Sequence, residues 1–331
     1  MTERTTLPLD PRLAALGVTS PVVLAPMAGI TDLPTRRIVQ GFGAGLVVSE
    51  MVASREMVEA KPSMRDRAEI GAGRLGTAVQ IAGRDAHWMA EAARMLEGQG
   101  AAIVDINMGC PAKKVTGGLS GSALLRDHDH ALRLIEAVVG AVSVPVTLKT
   151  RLGWDDDSRD TAALAVRAEA AGVRMLTIHG RTRCQFYGGR ADWTAIRPIV
   201  EAVAIPVLAN GDITNDIEAR AALAVSGAAG VMVGRGAQGR PWLLARIAAS
   251  LGHGTAPERP DLAALAARHH AAILDFYGRE LGGRVARKHL GWYMDEAVTP
   301  SGLRRAVLTA QPEAVPTLLA EALDPHQRHA A

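Results

Sequence analysis

Ala101-Ala102-Ile103-Val104-Asp105-Ile106-Asn107-Met108-Gly109-Cys110-Pro111 decides how this chain reads. Residues 101–106 form the kind of largely apolar run that a buried strand makes. The next five residues turn out of it and carry a thiol in a Gly-Cys-Pro turn. A loop with Lys113, Lys114, Gly117, Gly118 and Gly121 follows. A cysteine so placed points into whatever cleft the strand ends form, so the other strand ends determine what it does.

Seven further runs share this character. Together the eight read as strands over Val22–Ala25, Leu46–Ser49, Ala78–Ile81, Ile103–Ile106, Val146–Lys149, Leu176–His179, Val207–Ala209 and Gly230–Val233. Each is nearly continuous in apolar residues, as expected when both faces of a parallel strand are covered. Pro21, Pro145, Gly172, Pro206 and Gly227 announce several of them. Between them, Trp88–Gly98, Asp129–Val139, Thr161–Ala171 and Asp216–Ser226 repeat their apolar positions at helical spacing. Eight βα units match a TIM barrel. A doubly wound sheet is the alternative, and eight consecutive units weigh against it.

The pattern changes after Gly252. His253 to Pro260 looks like a linker. No strand follows it, and helices are expected over Asp261–Arg279, Arg284–Ala297, Gly302–Thr309 and Glu313–Leu323. The chain thus divides into a barrel at residues 1–252 and a small helical domain at residues 253–331. Its 331 residues suffice for both. With 48% hydrophobic but only 3% aromatic residues, the core must be built mainly from Ala, Leu, Val and Ile.

Net charge and cysteine usage narrow the class. A charge of +3 is compatible with a polyanionic partner without requiring one. Two cysteines, Cys110 and Cys184, argue against a disulfide scaffold and suit a reducing cytoplasm. They lie far apart with no zinc-spaced histidine, so no metal site is expected. The segment from Met1 to Pro11 is polar and unlike a signal peptide, and no apolar run is long enough to cross a membrane. A cytoplasmic protein is expected. A monomer is expected, with the oligomeric state left open by the sequence.

In a TIM barrel the active site is assembled at the C-terminal ends of the strands. Here those ends carry Pro26-Met27-Ala28-Gly29, Ser49-Glu50, Gln80, Asn107 with Cys110, Lys149 with Arg151, His179, Asn210-Gly211-Asp212 and Gly234-Arg235. Polar groups converging on one mouth describe a ligand site. The last two loops follow the seventh and eighth strands, where barrels commonly bind phosphate through backbone N–H groups. Arg235 can add a charged fork. Residues 234–239 also fit G-x-G-x-x-G, but no βαβ unit follows, so the dinucleotide reading is rejected.

The remaining ends suit a flat, electron-accepting ring. Gln80 can donate and accept hydrogen bonds at the edge of an isoalloxazine. Lys149 can stabilise negative charge on the reduced ring. Pro26-Met27-Ala28 can run its backbone along the ring edge. A phosphate site with polar ring contacts suggests FMN. Peptide thiols titrate near ~8.5 and are mostly protonated at neutral pH. Cys110 could therefore protonate one carbon of a C=C bond whose neighbour receives a hydride. Asn107, Arg151, Lys149 and His179 could orient that substrate, and His179 could instead meet a flavin phosphate.

This constellation resembles the tRNA-dihydrouridine synthases. The matching stretches are residues 25–32, 79–81, 105–111, 148–153, 178–182, 210–212 and 234–235, in the family's order. The resemblance implies an FMN-binding barrel followed by a helical tRNA-binding domain, with NADPH as reductant. It also implies Cys110 as general acid, with Pro26, Met27, Ala28, Gln80, Lys149, His179, Asn210, Gly211, Asp212, Gly234 and Arg235 on FMN. In this reading hydride reaches C6 of a flipped-out uracil and Cys110 protonates C5. Arg287-Lys288-His289-Leu290-Gly291-Trp292-Tyr293 is similar to the bacterial B subgroup, which points to uridine 17 of the D-loop. The loop from Lys113 to Ser122 is expected to act as a lid.

Other residues carry plainer readings. Cys184 could line the mouth or simply pack. Asp155-Asp156-Asp157 reads as solvated loop, and His269-His270 as surface or packing. Arg284, Arg287, Lys288 and His289 fall largely on one helix face. Arg287 and Lys288 are the expected tRNA contacts. Two further functions compete: a flavin enzyme reducing a free pyrimidine, and a non-catalytic RNA-binding protein on a retired barrel. The helical tail weighs against the first, and the intact Cys110, Lys149 and His179 against the second.

Overall fold

The computed structural model describes residues 6–59, 68–70 and 77–324. Eight parallel strands close on themselves: β1 Val22–Leu24, β2 Leu46–Val48, β3 Thr77–Ala82, β4 Ile103–Asn107, β5 Val146–Arg151, β6 Met175–His179, β7 Val207–Asn210 and β8 Gly230–Val233. Closure runs through β1, which pairs with β2 (Val23 opposite Leu46) and with β8 (Val22 opposite Val231). A two-residue strand, Val52–Ala53, continues the β2 side along β3. The expected TIM barrel is the observed one.

The continuous apolar runs have a simple cause, because these strands are covered on both faces. Val23, Leu46, Ala78, Ile103, Met175, Leu208 and Met232 belong to one cluster, in the barrel interior, together with Leu13 of a short N-terminal helix. Their neighbours Val22, Leu24, Val47, Val79 and Val104 belong to another, beneath the outer helices. Side chains alternate with period two. The interior positions therefore change character along each strand. Ala78 is followed inside by Gln80, Ile103 by Asp105 and Asn107, Met175 by Thr177 and His179, and Leu208 by Asn210. The same alternation adds Thr147, Lys149 and Arg151 from β5. An apolar plug below and a polar layer above are thus written into single strands.

The outer ring comprises α1 Leu33–Gly41, α2 Ser54–Val58, α3 Ala86–Gly98, α4 His128–Val139, α5 Thr161–Ala170, α6 Arg197–Ala202, α7 Asp216–Ser226 and α8 Leu243–Ser250. Asp32, Asp85, Asp127 and Asn215 cap α1, α3, α4 and α7 through side-chain oxygens. The stripe Met89, Ala92, Ala93, Leu96 is what α3 buries.

Four more helices follow: α9 Leu262–Tyr277, α10 Arg279–Ala297, α11 Ser301–Thr309 and α12 Val315–Ala322. They share a core of Leu265, Ile273, Leu290, Met294, Val307 and Leu319, against which Ile38 and Phe42 of α1 also pack. The sequence places the start of α10 at Arg284, whereas it begins at Arg279. Gly282 lies inside the helix as a close-contact residue: a Cβ there would stand 2.9 Å from the Ile273 carbonyl oxygen. No helix among the described residues is long and apolar enough to cross a membrane.

His269 and His270 are both buried. His269 lies between Thr35 Oγ1 (3.2 Å) and the Tyr293 hydroxyl (3.1 Å), with His289 at 4.7 Å between ring centroids. Burial, helped by His270, pushes the pKa of His269 down to about 3. An unfolded histidine takes up a proton near ~6.5, whereas the folded one refuses it until about 3. Stability should therefore fall as pH drops from 6.5 towards 3 and level off below. Denaturation midpoints followed across that range should show a shallower slope in His269→Gln. An unchanged slope would mean that the imidazole is protonated in place.

Candidate active site

The polar layer lines a cavity of about 790 Å³ at the C-terminal mouth of the barrel. Pro26, Met27, Ala28, Gln80, Asn107, Cys110, Lys149, Arg151, His179, Asn210, Gly211, Asp212, Gly234 and Arg235 all face it. Strand register places Gln80 opposite Asp105, Asn107 opposite Lys149, and His179 between Arg151 and Asn210.

A hydrogen-bond chain runs across the barrel floor to the backbone of the turn that carries Cys110. Asp105 accepts from Thr147 Oγ1 (2.6 Å) and from Gln80 Nε2 (2.7 Å). Gln80 Oε1 accepts from Asn107 Nδ2 (2.7 Å). Asn107 Oδ1 accepts from the backbone N–H groups of Gly109 (3.1 Å) and Cys110 (3.0 Å). With Gln80 Nε2 spent on Asp105, Gln80 Oε1 is left to accept from Asn107 Nδ2, which in turn leaves Asn107 Oδ1 for the turn. Burial pushes the Asp105 carboxyl up, and the bonds from Thr147 and Gln80 oppose it.

Arg151 holds the same turn from the other side. Its Nε donates to the Gly109 carbonyl (2.7 Å) and its Nη1 to those of Thr182 (2.9 Å) and Phe186 (2.8 Å). The guanidinium lies 5.5 Å from the Tyr187 ring centroid. Burial pushes its pKa down to about 10. Asn107 and Arg151, expected as substrate contacts, thus spend most of their polar capacity shaping the turn that carries Cys110.

Lys149 Nζ donates to Asn210 Oδ1 (3.1 Å), and Asn210 is fixed by the Met232 carbonyl (2.8 Å). Burial, reinforced by Arg151, brings the Lys149 pKa down to about 8. His179 is pushed well below its ordinary value by burial and by the surrounding Lys149, Arg151, Arg181 and Arg235. Its Nε2 lies 3.3 Å from Arg181 Nη1. A guanidinium can only donate, so this nitrogen accepts and Nδ1 carries the proton.

The opposite end of the cavity is built for close approach. Gly211 has φ +114°, and a Cβ there would stand 2.7 Å from His179 Cδ2. A Cβ on Gly236 would stand 2.5 Å from the Ile213 carbonyl oxygen. Arg235, Arg190 and Arg240 also line the cavity. Asp212 lies here too, but its carboxylate is taken by Arg181 (3.0 and 2.6 Å) and by the Ala191 N–H (2.7 Å).

The sequence matches the dihydrouridine synthase (Dus) family over residues 23–324. The chain belongs to that family. A probable tRNA-dihydrouridine synthase of Rhodobacter capsulatus is 64% identical over 293 residues, covering 87% of this chain and 90% of the relative. One from Rhizobium leguminosarum is 53% identical over 312 residues, covering 93% and 97%. The tRNA-dihydrouridine synthase B of Vibrio cholerae is 46% identical over 288 residues, covering 86% and 89%, in line with the B-subgroup resemblance. Among solved structures, histamine dehydrogenase from Rhizobium sp. 4-9 superposes with a TM-score of 0.53 at 14% identity, and 2-naphthoyl-CoA reductase with 0.55 at 13%. Each covers 69% of this chain, which spans 45% and 49% of theirs, and the likeness is one of fold.

Within this dihydrouridine synthase the remaining expectations fall out unevenly. Arg287 and Lys288 do not line the cavity. Lys288 Nζ lies 3.5 Å from where a Cβ on Gly29 would be, whereas Arg287 lines a groove on the helical bundle. His289, expected on their face, is buried. Cys184 is exposed and off the cavity. Asp156 and Asp157 are exposed, as expected. The C-terminal end of the expected lid is anchored beside the thiol: Ser122 donates to the Cys110 carbonyl through its N–H (3.1 Å) and its hydroxyl (2.9 Å). Asp105, Arg181, Tyr187, Arg190 and Arg240 went unnoticed as site residues. A carboxylate inside a buried strand was the available signal for Asp105, and the loop residues offered none.

Proposed function

We propose that this protein is a tRNA-dihydrouridine synthase that reduces the C5=C6 bond of a D-loop uridine, with FMN as its redox group and NADPH as reductant. The observation that carries this reading is a thiol, aimed from the barrel floor by Asn107 and Arg151, at the edge of a cavity lined by glycines and arginines. The relatives named tRNA-dihydrouridine synthase supply the substrate class.

The donor set suits FMN. Gly211, Gly234 and Arg235 would hold its phosphate. Gln80, Lys149 and the segment Pro26-Met27-Ala28 would border its ring, and His179 would reach it from the neighbouring strand. Asp212 would act through Arg181, keeping the loop at residues 181–191 against the cavity. When bound, FMN would supply the hydride equivalent for C6 of the uracil, with NADPH as the reductant that replenishes it. Cys110 Sγ–H gives its proton to C5, completing the addition of two hydrogens. The target base must leave the tRNA stack to enter the cavity. Lys149 would gain a higher pKa beside an anionic group and stay charged at neutral pH. Lys288 and Arg287 would meet the tRNA outside the cavity, and uridine 17 is the position we assign.

The test is mass spectrometry of an unmodified tRNA transcript incubated with flavin-loaded protein and NADPH. A gain of two hydrogens on one D-loop uridine is expected. Unchanged tRNA alongside reduction of a free pyrimidine would replace this reading with a small-molecule one.

A further inference from the structure

We infer that a groove on the helical bundle holds a second, unpaired nucleotide of the RNA, separate from the base taken into the barrel. This rests on the tRNA reading above. The groove lies between α10, α11 and the start of α12 and has a volume of about 280 Å³. Ligand pockets generally run from roughly 300 to 1,000 Å³, so this one suits a single nucleotide better than a cofactor. Its floor is aliphatic, made by Leu290, Val307 and Val315, and Gln311 stands at one side. An aliphatic floor takes a base face-on, and an amide beside it can meet the base edge.

The charge of the groove argues for RNA. Arg279 is neutralised by Glu313 (2.8 Å), and Glu280 offsets one further cation. Neither Arg284 nor Arg287 makes an ion pair among the described residues, and with Glu280 counted against them the groove keeps a net positive charge. Lys288 continues the series towards the barrel, where its Nζ stands beside Gly29 in the loop after β1. Arg284 and Lys288 are four residues apart, which is about 6 Å along the helix. A strand whose target base enters the barrel can therefore pass Lys288 and reach the groove within one helical turn. Phosphates on this track release counterions, whereas a base on the aliphatic floor does not.

The test compares flavin-loaded wild type with Arg284→Ala/Arg287→Ala and with Ala310→Trp, which fills the groove without removing charge. The probe is an unmodified tRNA transcript. The charge variant should bind about tenfold or more weakly, and its plot of log affinity against log salt should flatten by roughly 1.4, at about 0.7 for each lost single-strand phosphate. Ala310→Trp should also bind more weakly but keep the slope. Base-specific chemical probing of the wild-type complex should protect one unpaired nucleotide besides the target uridine, and either variant should expose it. Flavin content and thermal midpoint report whether the variants fold. Unchanged affinity, slope and protection in both variants would overturn the groove. A wild-type protein that neither binds nor reduces the transcript would overturn the tRNA reading instead.

Discussion

Cys110→Ala should slow oxidation of the reduced flavin by tRNA by roughly 10²- to 10⁴-fold, the usual contribution of a positioned general acid. Reduction of the flavin by NADPH should proceed at the wild-type rate, since no proton to C5 is involved. The substitution is clean because the backbone of Cys110 does the structural work. Its N–H donates to Asn107 Oδ1 and its carbonyl accepts from Ser122, and alanine keeps both. The turn should therefore stand with only the thiol gone. Single-turnover absorbance of the flavin separates the two half-reactions. Equal rates of tRNA-dependent oxidation in variant and wild type would remove Cys110 from the mechanism.

Asp212→Asn should cost about 3–5 kcal/mol of stability, the range for breaking one side of a buried ion pair. Arg181 is 1% exposed, close enough to the buried Arg151 to depress its pKa, and has Asp212 as its ion-pair partner. Without that carboxylate a buried guanidinium faces another cation. Asn tolerates the positive φ of +53° at this position, so the backbone is spared and the charge alone is tested. The thermal midpoint should fall by about 4–7 °C, given an unfolding entropy of ~2.1 cal/mol/K for each of the 331 residues. The protein should also retain flavin less well, because Arg181 also ties the carbonyls of Gly188 and Gly189 beside Tyr187. Arg181→Met/Asp212→Asn should be more stable than Asp212→Asn alone, since it removes the stranded charge. If the double variant is the worse of the two, the pair is held together by something other than charge.

The strands were legible because covered parallel strands cannot hide: eight apolar runs, each ending in polar or glycine residues, leave little room for another fold. The same feature concealed the interior. With Val22, Val23 and Leu24 all apolar, nothing marks Val23 as the residue inside. Which side chains bond across the floor depends on how β3, β4 and β5 come into register, so the bonds among Gln80, Asp105 and Asn107 could not be read from spacing. Most residues expected at the mouth do line it, but Ser49 and Glu50 are buried off the cavity, and several of the others spend their polar atoms on one another. Arg151 is the clearest case, a cation expected to face substrate that instead holds three carbonyls. Gly282-Gly283 misplaced the start of α10 because glycine marks a break and a close helix contact equally well. The scatter of Arg287, Lys288 and His289 onto different surroundings reflects the 100° step between neighbouring helical residues.

The chain of bonds from Asp105 through Gln80 and Asn107 has a further consequence. Every member of it sits on a strand, and no loop is needed to complete it. On the proposed reading, the turn that carries the Cys110 sulfur is braced from the strands, and the surfaces that would meet RNA lie outside them. On that reading, changes in the bundle can shift which uridine is presented without re-aiming the proton, whereas the loops carrying Ser122, Thr182 and Phe186 are tied to the Cys110 turn. Reaction chemistry and choice of address can therefore be inherited separately, with the first held fixed by a buried carboxylate while the second is free to diverge.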